Sequence, residues 1–270
     1  MSQKTQITAS VSVVPVRAEA SESSEMVTQI LLGETAELLD REERWYRIKM
    51  DRDGYEGWIS VTQALREEEL SEDWISADKS RSVFRMHSVQ NPEGGVCRIP
   101  FGSVIGKSED GGLVLPDGKY KSSPEVVAMK KKSITDTAKA YLGVSYLWGG
   151  CSEAGIDCSG FTQLVLLMHC IKIPRDASQQ IKSGRLSTVE NLEEAEVGSL
   201  VFFSFDGKRV VHVGFWLGDG KLLHASGKVK IELIQKRNDS VLPFNERLAN
   251  HICGIRGYKR ISREKESALV

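Results

Sequence analysis

The sequence predicts an α+β domain in its C-terminal half, preceded by an all-β region of short strands that opens with a small barrel. Three observations carry that expectation. Up to about residue 129 the apolar residues come in short runs separated by Gly, Asp, Asn and Pro turns. From residue 133 helical patterns come first, and one almost wholly apolar run at 161–171 is long enough for about three turns of buried helix. After residue 200 short runs of branched and aromatic residues return. Helices first and an antiparallel sheet second is an α+β arrangement.

Residues 1–65 form the first expected barrel. Ile7, Val11, Val13 and Val14 start it, and Gly33 and Glu34 break the apolar segment that ends at Leu32. Trp45 to Met50 alternates clearly, so one face is buried. Residues 51–54, DRDG, are a turn, and YEGWI closes the barrel. A charged connector at 66–69 reads as a solvated turn. Residues 66–129 read as a second strand-rich piece from Trp74, with a weaker pattern, turns at 91–95 and 115–118, and Cys97 in its core. The lysines at 130–132 open the third region, residues 130–270. There Ser133 is a plausible helix cap, with Gly143 as the stop. A helix follows Cys158 and must end before Pro174. A short helix over 177–182 precedes strands at 200–203, around His212, around His224, at 229–234 and at 251–258.

A net charge of −1 over 270 residues gives no basic surplus, which argues against nucleic acid or an anionic membrane as partner. No run approaches the ~20 apolar residues of a membrane span, and the N-terminus has no signal-peptide core. Five scattered cysteines are not a disulfide framework. The expectation is a reducing cytoplasm, where the acceptor pattern at Asn238 has no glycosylation to receive. No cofactor and no metal is expected; the spacing of Cys151 and Cys158 is not a usual ligand step. Oligomeric state stays open.

The chemistry concentrates in residues 146–161, YLWGGCSEAGIDCSGF. Cys158 opens a buried helix, where the positive end of the helix dipole favours a thiolate over a thiol. A lone cysteine is more often a core residue. Here an acid, a hydroxyl and nearby glycines do not describe a packed core. A nucleophilic thiol needs a base nearby in space. His169 lies at the far end of the helix, roughly 16 Å away at ~1.5 Å per residue. His87 is in another segment, and His251 reads as a strand residue. His212 in VHVGFW and His224 in LLHAS flank a GDG turn, and a hairpin puts both rings on one face. One ring then takes the thiol proton while the other orients it.

Cys158, His212 and His224, with DCSG, HVGF and HAS around them, resemble the catalytic set of NlpC-type cell-wall peptidases, a papain-like cysteine peptidase family. YLWGG before the cysteine and RDASQQ after it add to the resemblance, which covers about residues 133–262. One departure is visible. Where the family usually has Pro-Gly-Asp before an LVFF-type strand, this chain has Val197, Gly198 and Ser199. The text WYRIKMDRDGYEGWI looks like a bacterial SH3-like domain. The resemblance implies a papain-like domain behind two SH3-like barrels, the arrangement of the YkfC-like branch.

In that branch the first SH3-like domain narrows the catalytic cleft, and acids and a tyrosine clasp a free N-terminal L-Ala. The resemblance therefore implies γ-D-glutamyl-L-diamino acid endopeptidase (dipeptidyl-peptidase VI) activity on a murein tri- or tetrapeptide. It implies an oxyanion site made by the Cys158 N–H and the Tyr146 hydroxyl. It implies substrate contacts from Asp157, Ser159, Trp148 and Asp176, and from Tyr55 and Glu25 of the first barrel. The diamino acid, meso-diaminopimelate or L-Lys, is not specified. Two other classes remain: a wall-binding scaffold whose barrels do the work, which the intact Cys-His-His set argues against, and a thiol amidase or acyltransferase on the same fold.

Overall fold

The computed structural model describes residues 5–83, 85–108, 112–122, 133–237 and 239–258. The boundary expected at 129/130, the lysines at 130–132 and Asn238 lie outside these residues. The chain divides into two compact units, one within residues 1–130 and one within 131–267.

The first unit holds two antiparallel sheets. One contains β1 (Gln6–Ala9), β2 (Val13–Arg17), β3 (Met26–Leu31), β4 (Thr35–Glu42), β5 (Trp45–Met50), β6 (Glu56–Ser60) and β7 (Ala64–Arg66), in the order β3-β2-β6-β5-β4-β1-β7. The alternation of β5 sends Tyr46, Ile48 and Met50 into a core with Ile7, Val14, Val16, Ile30 and Ile59. The other sheet contains β8 (Asp78–Arg81), β9 (His87–Gln90), β10 (Val96–Ile99), β11 (Val104–Lys107), β12 (Leu113–Leu115) and β13 (Gly118–Ser122), in the order β10-β9-β13-β12-β11-β8. Trp74 does not begin a strand. It lies in a short helix, α1 (Glu72–Ser76), because the Ser71 hydroxyl accepts its N–H at 3.2 Å and caps that helix.

The turn after β3 ties the two sheets together. Leu32 packs into the second core with Val89, Ile99, Ile105 and Leu115. Next to it, buried Glu34 pairs with Arg52 at 2.9 Å and with Arg81, from the second sheet, at 2.8 Å. Burial opposes its ionisation, but the two guanidiniums win and hold it below the usual carboxylate range.

The second unit contains α2 (Ile134–Lys139), the small hairpin β14 (Cys151–Ser152) and β15 (Gly155–Ile156), α3 (Cys158–Leu167) and α4 (Ala177–Gln180). The strands β16 (Leu186–Val189), β17 (Leu200–Phe203), β18 (His212–Trp216), β19 (Lys221–Ser226) and β20 (Lys228–Leu233), the helix α5 (Glu246–Ala249) and β21 (Ile252–Tyr258) complete it. The sheet is antiparallel in the order β16-β21-β17-β18-β19-β20. Every residue of α3 is buried. Phe161 meets Tyr141 at 5.7 Å and Phe215 edge-on at 5.4 Å, which seats the helix on the sheet. On the opposite face Val201, Phe203, Trp216, Leu222, Ile234 and Leu248 form another cluster. Covered on both sides, β17 is apolar throughout instead of alternating.

Two boundaries differ from expectation. α2 ends at Lys139, short of Leu142, because Gly143 N–H is drawn to Val229 O of β20 at 2.9 Å. His251 lies in a turn before β21, its Nδ1 2.6 Å from Arg247 O. Among the described residues no helix is long and apolar enough to cross a membrane.

Candidate active site

Cys158 is the first residue of α3, and the segment around it is braced from three directions. Asp157 caps the helix, accepting the Gly160 N–H at 2.7 Å and the Gly149 N–H at 2.9 Å. Arg175 is the bulkiest fully buried side chain and grips Asp157 with two nitrogens, at 3.0 and 2.6 Å, and the Ser159 hydroxyl at 2.8 Å. Gln180 donates to Ser159 O at 2.9 Å and accepts from the Thr162 hydroxyl at 2.9 Å. Gly160 permits the close approach of the preceding loop: a Cβ there would lie 2.3 Å from Gly150 O. The DCSG and RDASQQ segments therefore form one buried brace that fixes where the cysteine sits.

The two histidines come from adjacent strands. In the β18–β19 register Gly214 lies opposite His224. His212, two positions along, shares that face, so the pair is diagonal. A Cβ on Gly214 would come 2.8 Å from His224 Cβ, so glycine leaves the ring its space. His212 Nε2 and His224 Nδ1 are 2.8 Å apart, with the rings at 85°. His224 Nε2 is 2.9 Å from Glu232 Oε2 on β20. The Val213 N–H, next to His212, donates to the Cys158 sulfur, as does the Ser159 N–H. The thiol and His212 share no hydrogen bond with each other among the described residues. Such contacts often tighten only around substrate.

Burial dominates the electrostatics. It pushes the Cys158 thiol up to about 12; Asp157 adds to the rise, while the Val213 N–H, Arg175 and the Ser159 N–H pull against it. This corrects the expectation of a resting thiolate: in a site this dry, desolvation outweighs the helix N-terminus. Burial, with His224 beside it, takes His212 down to about 3, so it rests neutral. His224 is also lowered by burial, against the pull of Glu232. Glu232 is held below the usual range: burial raises it, but hydrogen bonds from Lys230 and Asn245 and the nearby His224 prevail. Tyr146 is pushed up to about 12, chiefly by burial, with Cys158 and Asp157 nearby opposing a phenolate, so its hydroxyl keeps its proton.

Tyr146 reaches this corner because it bridges Ile156, just before the cap, and donates its N–H to Gly227 O at 3.0 Å. Its hydroxyl and the Cys158 N–H have no hydrogen-bond partner among the described residues. A buried N–H left unpaired is rare and suits a ligand oxygen.

Asp157 and Ser159, expected as substrate contacts, both belong to the brace. Both are buried, and Arg175 and the cap N–H groups already occupy their oxygens. Trp148 is 63% exposed beside the same loop. Asp176 is half-buried at the start of α4 without capping it through its side chain. Tyr55 and Glu25 belong to the first unit. Tyr55 packs against the core of the first sheet, and Glu25 is exposed just before β3. Among the described residues no group of three or more His, Cys, Asp and Glu side chains is placed to hold a metal ion.

Sequence reasoning missed Glu232, Asn245, and the structural parts played by Arg175 and Gln180. Glu232 sits in VKIEL, where charged and apolar residues alternate as in any strand with a wet face. Its burial appears only once β20 pairs with β19. Arg175 and Gln180 were visible as part of RDASQQ, but nothing in the spacing ties them to the cap of α3.

The NlpC/P60 family matches residues 143–241, which hold Cys158, His212, His224 and Glu232. The bacterial dipeptidyl-peptidase SH3 domain matches residues 16–65. The chain is 27% identical over 249 residues, 83% of its length and 72% of the relative's, to the gamma-D-glutamyl-L-lysine dipeptidyl-peptidase of Bacillus cereus. It is 29% identical over 215 residues, 73% and 71% of the two lengths, to the protein of the same name from Bacillus subtilis. The crystal structure of an NlpC/P60 family protein from Bacillus cereus superposes with a TM-score of 0.77 at 21% identity, covering 94% of this chain and 99% of that one. An NlpC/P60 endopeptidase of Photobacterium damselae subsp. piscicida gives 0.68 at 15% identity, over 93% and 72%. These structures share the fold.

Proposed function

We propose that this chain, which belongs to the NlpC/P60 family of cysteine peptidases, hydrolyses the γ-D-glutamyl–diamino acid bond of murein peptides with a free N-terminal L-Ala. The products are L-Ala-γ-D-Glu and the diamino acid end. The observation that carries this reading is that the relatives named gamma-D-glutamyl-L-lysine dipeptidyl-peptidase align over most of the chain, barrel region included, and not over the peptidase alone.

The chemistry follows from the site. The Cys158 sulfur attacks the γ-carbonyl carbon while its proton passes to His212. The oxyanion takes hydrogen bonds from the Cys158 N–H and the Tyr146 hydroxyl. The C–N bond breaks, and His212 returns the proton to the leaving amine. Water then cleaves the thioester with His212 as base, and His224 keeps the first ring oriented. Asp157 and Ser159 stay in the proposal as substrate contacts beside the brace, with Asp176 as a further acid and Trp148 as a flanking face. Glu25 and Tyr55 stay in this proposal on the strength of the family resemblance. The division at 65/66 and 129/130 and a place in cytoplasmic peptide recycling belong to the same proposal. A requirement for a free amine suits released peptides better than intact wall.

The test is mass spectrometry of the products from L-Ala-γ-D-Glu-meso-diaminopimelate and from its N-acetylated form. Cleavage of the free peptide alone is expected. Equal cleavage of both would remove the amine requirement and keep the peptidase. Cleavage of neither would overturn the substrate assignment. Running the L-Lys peptide alongside decides the diamino acid.

A further inference from the structure

Three groups converge on the Glu232 carboxylate, and all three are donors. The Lys230 ammonium is 2.8 Å from Oε1. The Asn245 amide nitrogen is 2.8 Å from Oε2, and its orientation is fixed because its oxygen accepts the Leu248 N–H at 3.0 Å. His224 Nε2 is 2.9 Å from Oε2. An ionised carboxylate has no proton to offer. His224 Nε2 must therefore carry hydrogen. Burial keeps this ring neutral, so its Nδ1 is a lone pair. That lone pair lies 2.8 Å from His212 Nε2, which must then carry the hydrogen between them. His212 Nδ1 is left as the free lone pair of the line.

We infer that Glu232 is a positioning residue that sets the tautomers of both histidines, and so makes His212 Nδ1 the atom that takes the Cys158 proton. This rests on His212 being the base. As the proton arrives on Nδ1, the new imidazolium keeps its Nε2–H on His224, and the charge faces Glu232 through one intervening ring. Lys230 and Asn245 hold the carboxylate ionised and aimed at that ring.

Glu232→Leu turns the line around. With the carboxylate gone, Lys230 and Asn245 present only N–H donors beside His224 Nε2, which favours a lone pair on that nitrogen. His224 then carries its proton on Nδ1 and donates to His212 Nε2, and His212 holds its own proton on Nδ1, where it blocks the thiol. A misplaced tautomer removes general-base assistance, which contributes roughly 10²–10⁴-fold. The expected result is a kcat loss of that order with KM within a few-fold, partly restored by Glu232→Asp. Ring-nitrogen NMR reads the assignment directly, starting with the wild-type protein, whose folding is not at issue. Both His212 and His224 are expected as Nε2–H tautomers there, and as Nδ1–H in Glu232→Leu. A wild-type His212 protonated on Nδ1, or Glu232→Leu with unchanged tautomers and turnover within twofold, would overturn the inference. Expected tautomers in a protein that cleaves neither peptide would instead count against the function proposed above.

Discussion

At the scale of single residues, the cysteine proposed as nucleophile is kept as a thiol. Cys158 is 7% exposed and its pKa is pushed up to about 12. His212, down at about 3, is equally neutral. The free protein thus holds an uncharged pair; in the proposed reaction the charges form only as sulfur attacks, with the His224–Glu232 line in place to receive them. The consequence is measurable. Because the pKa is raised, thiolate is scarce at neutral pH and appears only as pH climbs toward 12. Alkylation of Cys158 by iodoacetamide at pH 8 is expected to be slower than that of a free thiol by roughly two orders of magnitude or more. Alkylation at the free-thiol rate would show a stable resting thiolate. The placement of Cys158 and of both rings was legible in the sequence: DCSG marks the start of a buried helix, and the period of two around GDG puts both histidines on one face. Glu232 was not, since an inward acid in VKIEL looks like any outward one until its neighbours are in place.

At the scale of elements, the site is a helix start and a hairpin, each held by contacts far apart in sequence. The run at 161–171 announced α3, and LVFF announced a strand buried on both faces. The register of β18 on β19 explains why a glycine stands at 214. The Arg175 brace was hidden for a plain reason: an arginine beside a proline reads as a solvated turn, and its 2% exposure follows only from the positions of Asp157 and Ser159. The brace predicts that Arg175→Met strands a buried carboxylate. Breaking a buried pair on one side costs about 3–5 kcal/mol. A chemical melt of the variant is expected to fall by that much, with turnover lost alongside. A variant as stable as wild type would show that the cap of α3 does not depend on the guanidinium.

At the scale of the whole molecule, each unit is built around buried charge. In the first, Glu34 is shared by Arg52 and Arg81 and joins the two sheets. In the second, Arg175 and Glu232 sit on either side of the catalytic line, one fixing the cysteine and the other the imidazoles. Short strands and turns foretold the strand-rich first half, and helices before strands foretold the second. The helical start of the second region, at Trp74, was lost among strand-like residues. All of this serves one claim, that the reaction passes through the Cys158 sulfur. The direct measurement is turnover of L-Ala-γ-D-Glu-meso-diaminopimelate by wild-type protein and by Cys158→Ala, each checked for an unchanged melting temperature to within a few degrees. Wild-type cleavage with no detectable product from the variant is the expected result. Product from a folded Cys158→Ala protein would contradict the account at its centre.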